Sequence, residues 1–361
     1  MEKRKMGIAI SLLLAAGTLL GACGKNTNNT KNNTPTGGNK AKGFSVGMVT
    51  DIGGIDDKSF NQSAWEGLQA FGKDNNLTKG KGGYDYLQST SDADYVTNLN
   101  TLARQGFDLV FGIGFLMQSA VDEVAKQQKD HKFAIIDSEV KEPNVASILF
   151  KEQEAAFLAG VAAALTTKTD HIGFIGGMEN AVIERFQAGF LAGIKAAKPS
   201  VKVDVQYAGA FDKSEVGQNI ASKMYSTGAD VIFHAAGGTG NGLFKEAVDL
   251  KKKDPNREIW AIGVDRDQND MGPDVVLTSA LKRVDVAVQD TAQKAQNGNF
   301  PGGKNILYGL TENGVGLSPI NAKAKNKDAI DKAVTDWIGK IKSGALKVPG
   351  TLAELKTFSP K

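Results

Sequence analysis

Residues 46–68 read VGMVTDIGGIDDKSFNQSAWEGL, and they set the pattern for the rest of the chain. An apolar run, Ser45–Thr50, gives way to a polar loop rich in Asp and Gly, and then to a segment of helical period near 60–73. The same alternation recurs. Strand-like runs fall at Leu109–Gly114, Phe133–Asp137, His171–Ile175, Lys202–Tyr207, Val231–His234, Ile259–Val264 and Val275–Ala280. Amphipathic stretches lie near 91–105, 117–129, 152–167, 181–197, 214–227, 241–252 and 285–297, with a terminal helix near 327–343. Strands alternating with helices predict an α/β chain of parallel sheets flanked by helices. At least eight strands over about 320 residues are too many for one core, which predicts two sheets. Their boundary is placed near 150, where Ala155–Leu165 (AAFLAGVAAAL) is apolar on nearly every side. Such a helix is either a crossover packed between lobes or plainly buried core.

The start of the chain reads differently. Lys3, Arg4 and Lys5 precede an apolar run from Met6 to Leu20, and Leu20-Gly21-Ala22-Cys23 follows. A basic segment and a short apolar core form a secretory leader, too short to span a bilayer comfortably. Small residues before a lone Cys resemble the lipobox of bacterial lipoproteins, so residues 1–22 are read as a signal peptide and Cys23 as the lipidation site. Residues 24–43, GKNTNNTKNNTPTGGNKAKG, hold almost nothing apolar and are read with Cys23 as a disordered tether. The expected location is the extracytoplasmic face of the cell membrane, held through the lipid alone.

Composition excludes several functions. The 43 Lys and Arg against 40 Asp and Glu give a net charge of +3, which offers no case for nucleic acid as a partner. Loss of Glu2, Lys3, Arg4 and Lys5 with the leader would leave +1. A single Cys rules out a disulfide scaffold and a Cys-based zinc site, and three scattered His argue against a metal cluster. No cofactor and no metal are expected, and a monomer is.

Ligands of open parallel sheets bind beyond the carboxyl ends of the strands. The residues there are Asp51 and the 51–62 loop, Gly112-Ile-Gly114-Phe115, Asp137-Ser138, Gly237-Gly238-Thr239-Gly240, Asp265, and Lys282. Three carboxylates, one ammonium and two glycine-rich loops thus share an edge. Each has a plain alternative. Asp57 or Ser59 caps the helix beginning near Phe60. The glycines of 237–242 permit a tight turn, and the acids are solvated strand ends. Phe60 either staples its helix to the core or offers a ring face to a flat ligand.

Enzyme signatures fail. Gly43-Phe-Ser45-Val-Gly47 matches G-x-S-x-G, yet Ser45 opens a strand instead of following one. Leu243 stands where a phosphate-binding loop needs Lys, and no G-x-G-x-x-G follows the first strand. Gly53 and Ile55 occupy ligand positions of a would-be calcium loop. The expectation is a protein that is not an enzyme.

The segments VGMVTDIGGIDDKSFNQSAWEGL, FAIIDSEV, VASILFKEQEAAFLAGVAAAL, IGFIGGMENAVIERFQAGFLAGI, HAAGGTGNGLF, WAIGVDRDQND and SALKRVD occur in order over Phe44 to about Phe358. The chain is thereby similar to the basic membrane protein family of lipoproteins, the PnrA-like purine nucleoside-binding proteins. The resemblance implies the type I periplasmic binding-protein fold: two doubly wound parallel-sheet lobes, three crossovers, and an interlobe cleft. It assigns 44–150 with about 276–300 to the N-terminal lobe, and 151–275 with about 301–361 to the C-terminal lobe. It also implies delivery of the ligand to an ABC transporter permease. By matching motif, Phe60 and Phe186 would sandwich the purine, and Asp137 would accept from base N–H groups with Asn61 beside it. Asp51, Asp265 and Lys282 would hold the ribose hydroxyls, with the Gly237–Gly240 loop approaching closely at Gly238. Phe186 and Phe190 share a core-like i, i+4 spacing, and the family match alone selects Phe186.

The chemistry agrees. Two rings clasp a flat purine, and a carboxylate suits the N1–H of guanine or hypoxanthine better than the N1 acceptor of adenine. Vicinal ribose hydroxyls donate to a carboxylate, whereas a phosphate meets three acids with one Lys. Guanosine, inosine and adenosine are the candidates. The alternatives are the same fold binding a sugar or other small polar ligand, or a surface sensor or antigen acting through a protein partner.

Overall fold

The computed structural model describes residues 43–360; the leader, Cys23 and the tether up to residue 42 lie outside them. The first sheet begins with β1 (Val46–Thr50). It continues through α1 (Phe60–Asp74), β2 (Tyr84–Gln88), α2 (Tyr95–Gln105), β3 (Leu109–Ile113), α3 (Gln118–Gln127), β4 (Lys132–Ile136) and β5 (Val145–Phe150). Next come α4 (Glu152–Thr166), β6 (His171–Gly176), α5 (Ala181–Ala197), β7 (Lys202–Tyr207), α6 (Ser214–Ser226) and β8 (Val231–Ala235). The second sheet is extended by α7 (Asn241–Lys253), β9 (Trp260–Asp265) and β10 (Val276–Lys282). The remainder is α8 (Val284–Gln296), β11 (Asn305–Tyr308), β12 (Val315–Leu317), α9 (Lys327–Lys342) and α10 (Leu352–Thr357).

Two six-stranded sheets result, ordered β11-β5-β4-β3-β1-β2 and β12-β10-β9-β8-β6-β7. Every pairing is parallel except β10 with β12. β1, β3, β6 and β8 are buried throughout, as strands covered by helices on both faces must be. The edge strand β7 alternates Lys, Asp and Gln with Val and is partly exposed along its length. These are two doubly wound α/β lobes of the type I periplasmic binding-protein fold.

The chain passes between the sheets after Phe150, after Lys282 and after Tyr308. The division expected at 276 and 301 shifts accordingly. Val276–Lys282 belongs to the second sheet, paired with β9, and Asn305–Tyr308 belongs to the first, paired with β5. Local periodicity reveals a strand but not the sheet whose edge it joins. Four strands fell outside the expected set for related reasons. β2 (YDYLQ) is a half-exposed edge, β5 runs directly into an apolar helix, and β11 and β12 are only four and three residues long.

α4 is buried almost all round and packs against α5. Glycines make that contact. A Cβ on Gly193 would lie 2.0 Å from the Phe157 carbonyl oxygen, and one on Gly189 would lie 2.3 Å from that of Gln153. Only residues without a side chain let the two backbones approach so closely. The crossing fixes α5 by its middle and so places Arg185 and Phe186, one turn earlier, at the interlobe face.

Candidate functional site

In each sheet the strand order reverses beside the first strand, between β1 and β3 and between β6 and β8. These are the switch points at which connecting loops diverge and leave a crevice. The two crevices face each other. Between them lies a cavity of ≈ 60 Å³, walled by Asp51, Phe60, Asn61, Gly114 and Asp137 of the first lobe. The second lobe contributes Phe186, Phe211, Gly237, Asp265 and Lys282. Seven of the eight expected ligand residues therefore share one wall. Gly238 is set back from it, with Asp57 Cβ 3.8 Å from where its own Cβ would stand.

Two carboxylates sit at strand ends in an uncommon backbone state. Asp137 follows β4 at φ 69° and Asp265 closes β9 at φ 67°. Asp tolerates the left-handed region better than most residues, at some cost, and such residues gather at functional sites. Asp51 accepts from the Gly53 amide at 2.9 Å and from Asn61 Nδ2 at 2.7 Å. The Asp57 carboxylate accepts from the amides of Ser59, Asn61 and Gln62, which caps α1 as its position suggested. The Asn61 amino group is committed to Asp51 and Asp57, which leaves its carbonyl oxygen as the side chain's remaining polar atom.

Lys282 stands at the centre. Its Nζ donates to Asp137 Oδ2 at 2.5 Å and lies 3.0 Å from Glu152 Oε1. Glu152, fully buried, also takes Arg185 Nε at 2.5 Å through its other oxygen. The ammonium is 5.1 Å from the ring centroids of Phe60 and Phe150 and 5.9 Å from that of Phe186. The two expected stacking rings thus flank a common volume, now occupied by a lysine head. Phe186 also packs edge-on to Phe233, so it serves core and cavity together, while Phe190 is wholly core.

The charges respond to burial and to each other. Burial pushes the Asp265 carboxyl up to about 7, against the opposing pull of Lys282 and of the Ser59 hydroxyl that donates to it. Burial likewise raises Asp51. Burial disfavours the Lys282 ammonium, yet Asp137, Glu152 and Asp265 hold it above the ordinary lysine range. Burial would raise Glu152 too, but Lys282 and Arg185 reverse that and keep it ionised. Two acceptors are left over. Asn61 Oδ1 and Asp137 Oδ1 are buried with no hydrogen-bond partner among the described residues. An orphaned buried acceptor costs about 1–3 kcal/mol, which a donor on a bound molecule would relieve.

Sequence reasoning missed Glu152, Arg185 and Phe211, and placed Phe115 at the binding edge without giving it a role. Glu152 reads as an ordinary acid at a helix N-terminus, and Arg185 as a solvated face. Phe115 and Phe211 close the cavity across the lobes, rings edge-to-face at 6.2 Å. Their signal was the one that marked Phe60, an aromatic in a polar loop.

A larger open concavity of ≈ 820 Å³ lies at the other end of the second sheet, lined by Asp230, Ile259, Trp260 and Val275 where their strands begin. Its Lys323 and Lys325 are already paired with Asp274 and Glu258. It has none of the unsatisfied acceptors found between the lobes. Among the described residues no group of His, Cys, Asp and Glu could hold a metal ion, and no helix is long and apolar enough to cross a membrane.

Comparison with known proteins agrees with the fold. The chain is 52% identical to the CD4+ T-cell-stimulating antigen of Listeria monocytogenes, covering 97% of this chain and 99% of that one. It is 44% identical to the ABC transporter nucleoside-binding protein BmpA of Lactococcus lactis, over 94% and 99% of the two chains. A crystal structure of ABC transporter solute-binding proteins from Aeropyrum pernix superimposes with a TM-score of 0.76 at 27% identity, covering 87% and 96%. Residues 44–351 match the family described as ABC transporter substrate-binding protein PnrA-like. The chain belongs to this Bmp family of ABC transporter substrate-binding proteins.

Proposed function

We propose that the interlobe cavity captures a purine nucleoside and that the protein, lipidated at Cys23 on the outer face of the membrane, hands it to an ABC importer. The carrying observation is the placement of Phe60 and Phe186 around one volume whose wall also holds two unsatisfied acceptors. Rings on both faces suit a flat base, each adding about 0.5–1.5 kcal/mol beyond its buried area. Asp137 Oδ1 and Asn61 Oδ1 then accept from the base edge. Asp51 and Asp265 are acceptors for ribose hydroxyls, with Lys282 balancing their charge. The similarity to the Lactococcus nucleoside-binding protein BmpA supports a nucleoside.

Entry requires movement. Pockets that take a small organic ligand enclose about 300–1,000 Å³, whereas this one encloses ≈ 60 Å³. The lobes part, the ligand enters, and closure restores contacts that only both lobes together supply. No turnover is proposed, and nucleoside should be recovered unchanged after incubation.

The test is thermal unfolding of the purified protein, first stripped of any occupant by unfolding and refolding, against nucleosides, free bases, nucleotides and sugars. Ligand at 100 times its Kd adds about 2.7 kcal/mol. Stabilisation by guanosine or inosine, absent with sugars, supports the reading; stabilisation by sugars alone replaces it with a polyol-binding one. The anchor is tested separately: Cys23→Ser should abolish incorporation of a labelled fatty acid.

A further inference from the structure

The loop that leads into Phe60 and Asn61 at the start of α1 is held across the cleft by groups that do not touch the cavity. Asn241 Nδ2 donates to the Asp57 carbonyl at 3.0 Å, and Gln268 Nε2 donates to the Lys58 carbonyl at 2.9 Å. Asp57 and Lys58 belong to the first lobe, whereas Asn241 and Gln268 follow β8 and β9 of the second. Neither amide lines the cavity. We infer that Gln268 and Asn241 form an interlobe latch that draws Phe60 and Asn61 onto the ligand, and so act as positioning residues for capture. This rests on the reading of the cavity as the ligand site.

Gln268 is built for one orientation. Its Oε1 accepts the Val264 amide at 2.8 Å and lies 3.1 Å from His234 Nε2. The Val264 N–H fixes the oxygen on that side, so the amino end must face Lys58. The Gln268 backbone amide donates to Ser279 Oγ at 3.0 Å, and a Cβ on Gly263 would meet Gln268 Oε1 at 2.7 Å. The side chain is fully buried and every one of its polar atoms is used. Its target is equally constrained. Lys58 is held at φ 61°, a left-handed conformation that a lysine seldom adopts, and that conformation turns its carbonyl toward the second lobe. The latch therefore spends its one free donor on a strained peptide two residues before Phe60.

The test compares Gln268→Glu and Asn241→Asp with the parent, each variant replacing the bridging donor by an acceptor of the same shape. Hydrogen exchange on the unliganded full-length protein should rise about tenfold in segments 57–66 and 236–241 together, with β8 and β9 still protected. Bound guanosine should leave about tenfold faster, with association changed little. Unchanged exchange in those segments overturns the latch, and so does a rise that spreads through β8 and β9, which reports loosening of the second lobe. Asn241 is partly exposed, so its variant decides the matter if Gln268→Glu does not fold. Failure of guanosine to bind the parent would overturn the nucleoside reading alone, because the exchange arm needs no ligand.

Discussion

Lys282 Nζ lies 2.5 Å from Asp137 Oδ2, and the two residues end strands of different sheets. This ion pair crosses the cleft through the place where a base would sit between the two rings. Glu152 holds the same ammonium from the start of α4, at 3.0 Å. If the lobes part as proposed, Lys282 would keep Glu152, which opens the second lobe, and Asp137 would be released with both oxygens free to accept. On the proposed reading the pair is an internal stand-in for the ligand, and Asp137 is the half that the ligand would take over.

Asp137→Asn tests that exchange. The amide keeps the shape but loses the charge, and it presents a donor where guanine and hypoxanthine also present one. Hydrogen bonds to a charged group contribute about 1.5–3 kcal/mol, so guanosine and inosine should bind on the order of tenfold to a hundredfold more weakly. Adenosine, with an acceptor at N1, should lose much less. Calorimetric titration with the three nucleosides checks this, and an equal loss for all three would remove Asp137 from base recognition.

Glu152→Gln separates stability from binding. Glu152 is fully buried between Lys282 and Arg185, and its neutralisation leaves the Arg185 guanidinium without its carboxylate. Breaking a buried pair from one side costs about 3–5 kcal/mol, a fall in Tm on the order of 10 °C. A variant that melts with the parent would show that water replaces the carboxylate at no cost.

The sequence displayed the two-sheet plan because parallel strands covered on both faces are continuous apolar runs, as β1, β3, β6 and β8 are. It displayed Asp51, Asp137, Asp265 and Lys282 because strand ends locate a crevice by position alone. Glu152 was hidden for the opposite reason: its role depends on a lysine 130 positions away, and nothing local distinguishes it from a dipole-matched helix acid. Gln268 was hidden likewise, since its work is done on a carbonyl contributed by the other lobe. The last crossovers were misplaced because nothing local tells which sheet β10 extends, and β11, four residues and mostly exposed, does not read as a strand at all.

Gly193→Ala and Gly339→Ala should move stability in opposite directions. At Gly193 the new methyl would stand 2.0 Å from the Phe157 carbonyl oxygen at the α4–α5 crossing, whereas at Gly339 in α9 nothing lies within 4 Å. Overpacking costs about 1–3 kcal/mol. An exposed helical Gly→Ala gains roughly 0.4–1 kcal/mol. Because α5 carries Phe186, the first variant should also weaken nucleoside binding while the second leaves it alone. Denaturant unfolding and one titration on each variant suffice, and matching signs would contradict the packing account.

Asp265 should make the protein lose stability as pH rises. Its folded-state carboxyl is raised to about 7 from a usual value of 3.8, chiefly by burial, so the folded chain keeps a proton that the unfolded chain gives up. Stability then declines from about pH 4 to about pH 7, and the penalty persists above that. Asp57, raised by burial to about 6, adds a decline over the lower part of the range. His234 acts the other way: burial lowers it to about 4 from 6.5, so its contribution rises with pH until about 6.5. Asp265→Asn removes one of these three and mimics the protonated acid. The variant should therefore gain on the parent steadily between pH 4 and 7 and hold a constant advantage above, in thermal unfolding followed across that range. Parallel curves would mean that the Ser59 hydroxyl and Lys282 keep Asp265 ionised in the folded protein throughout.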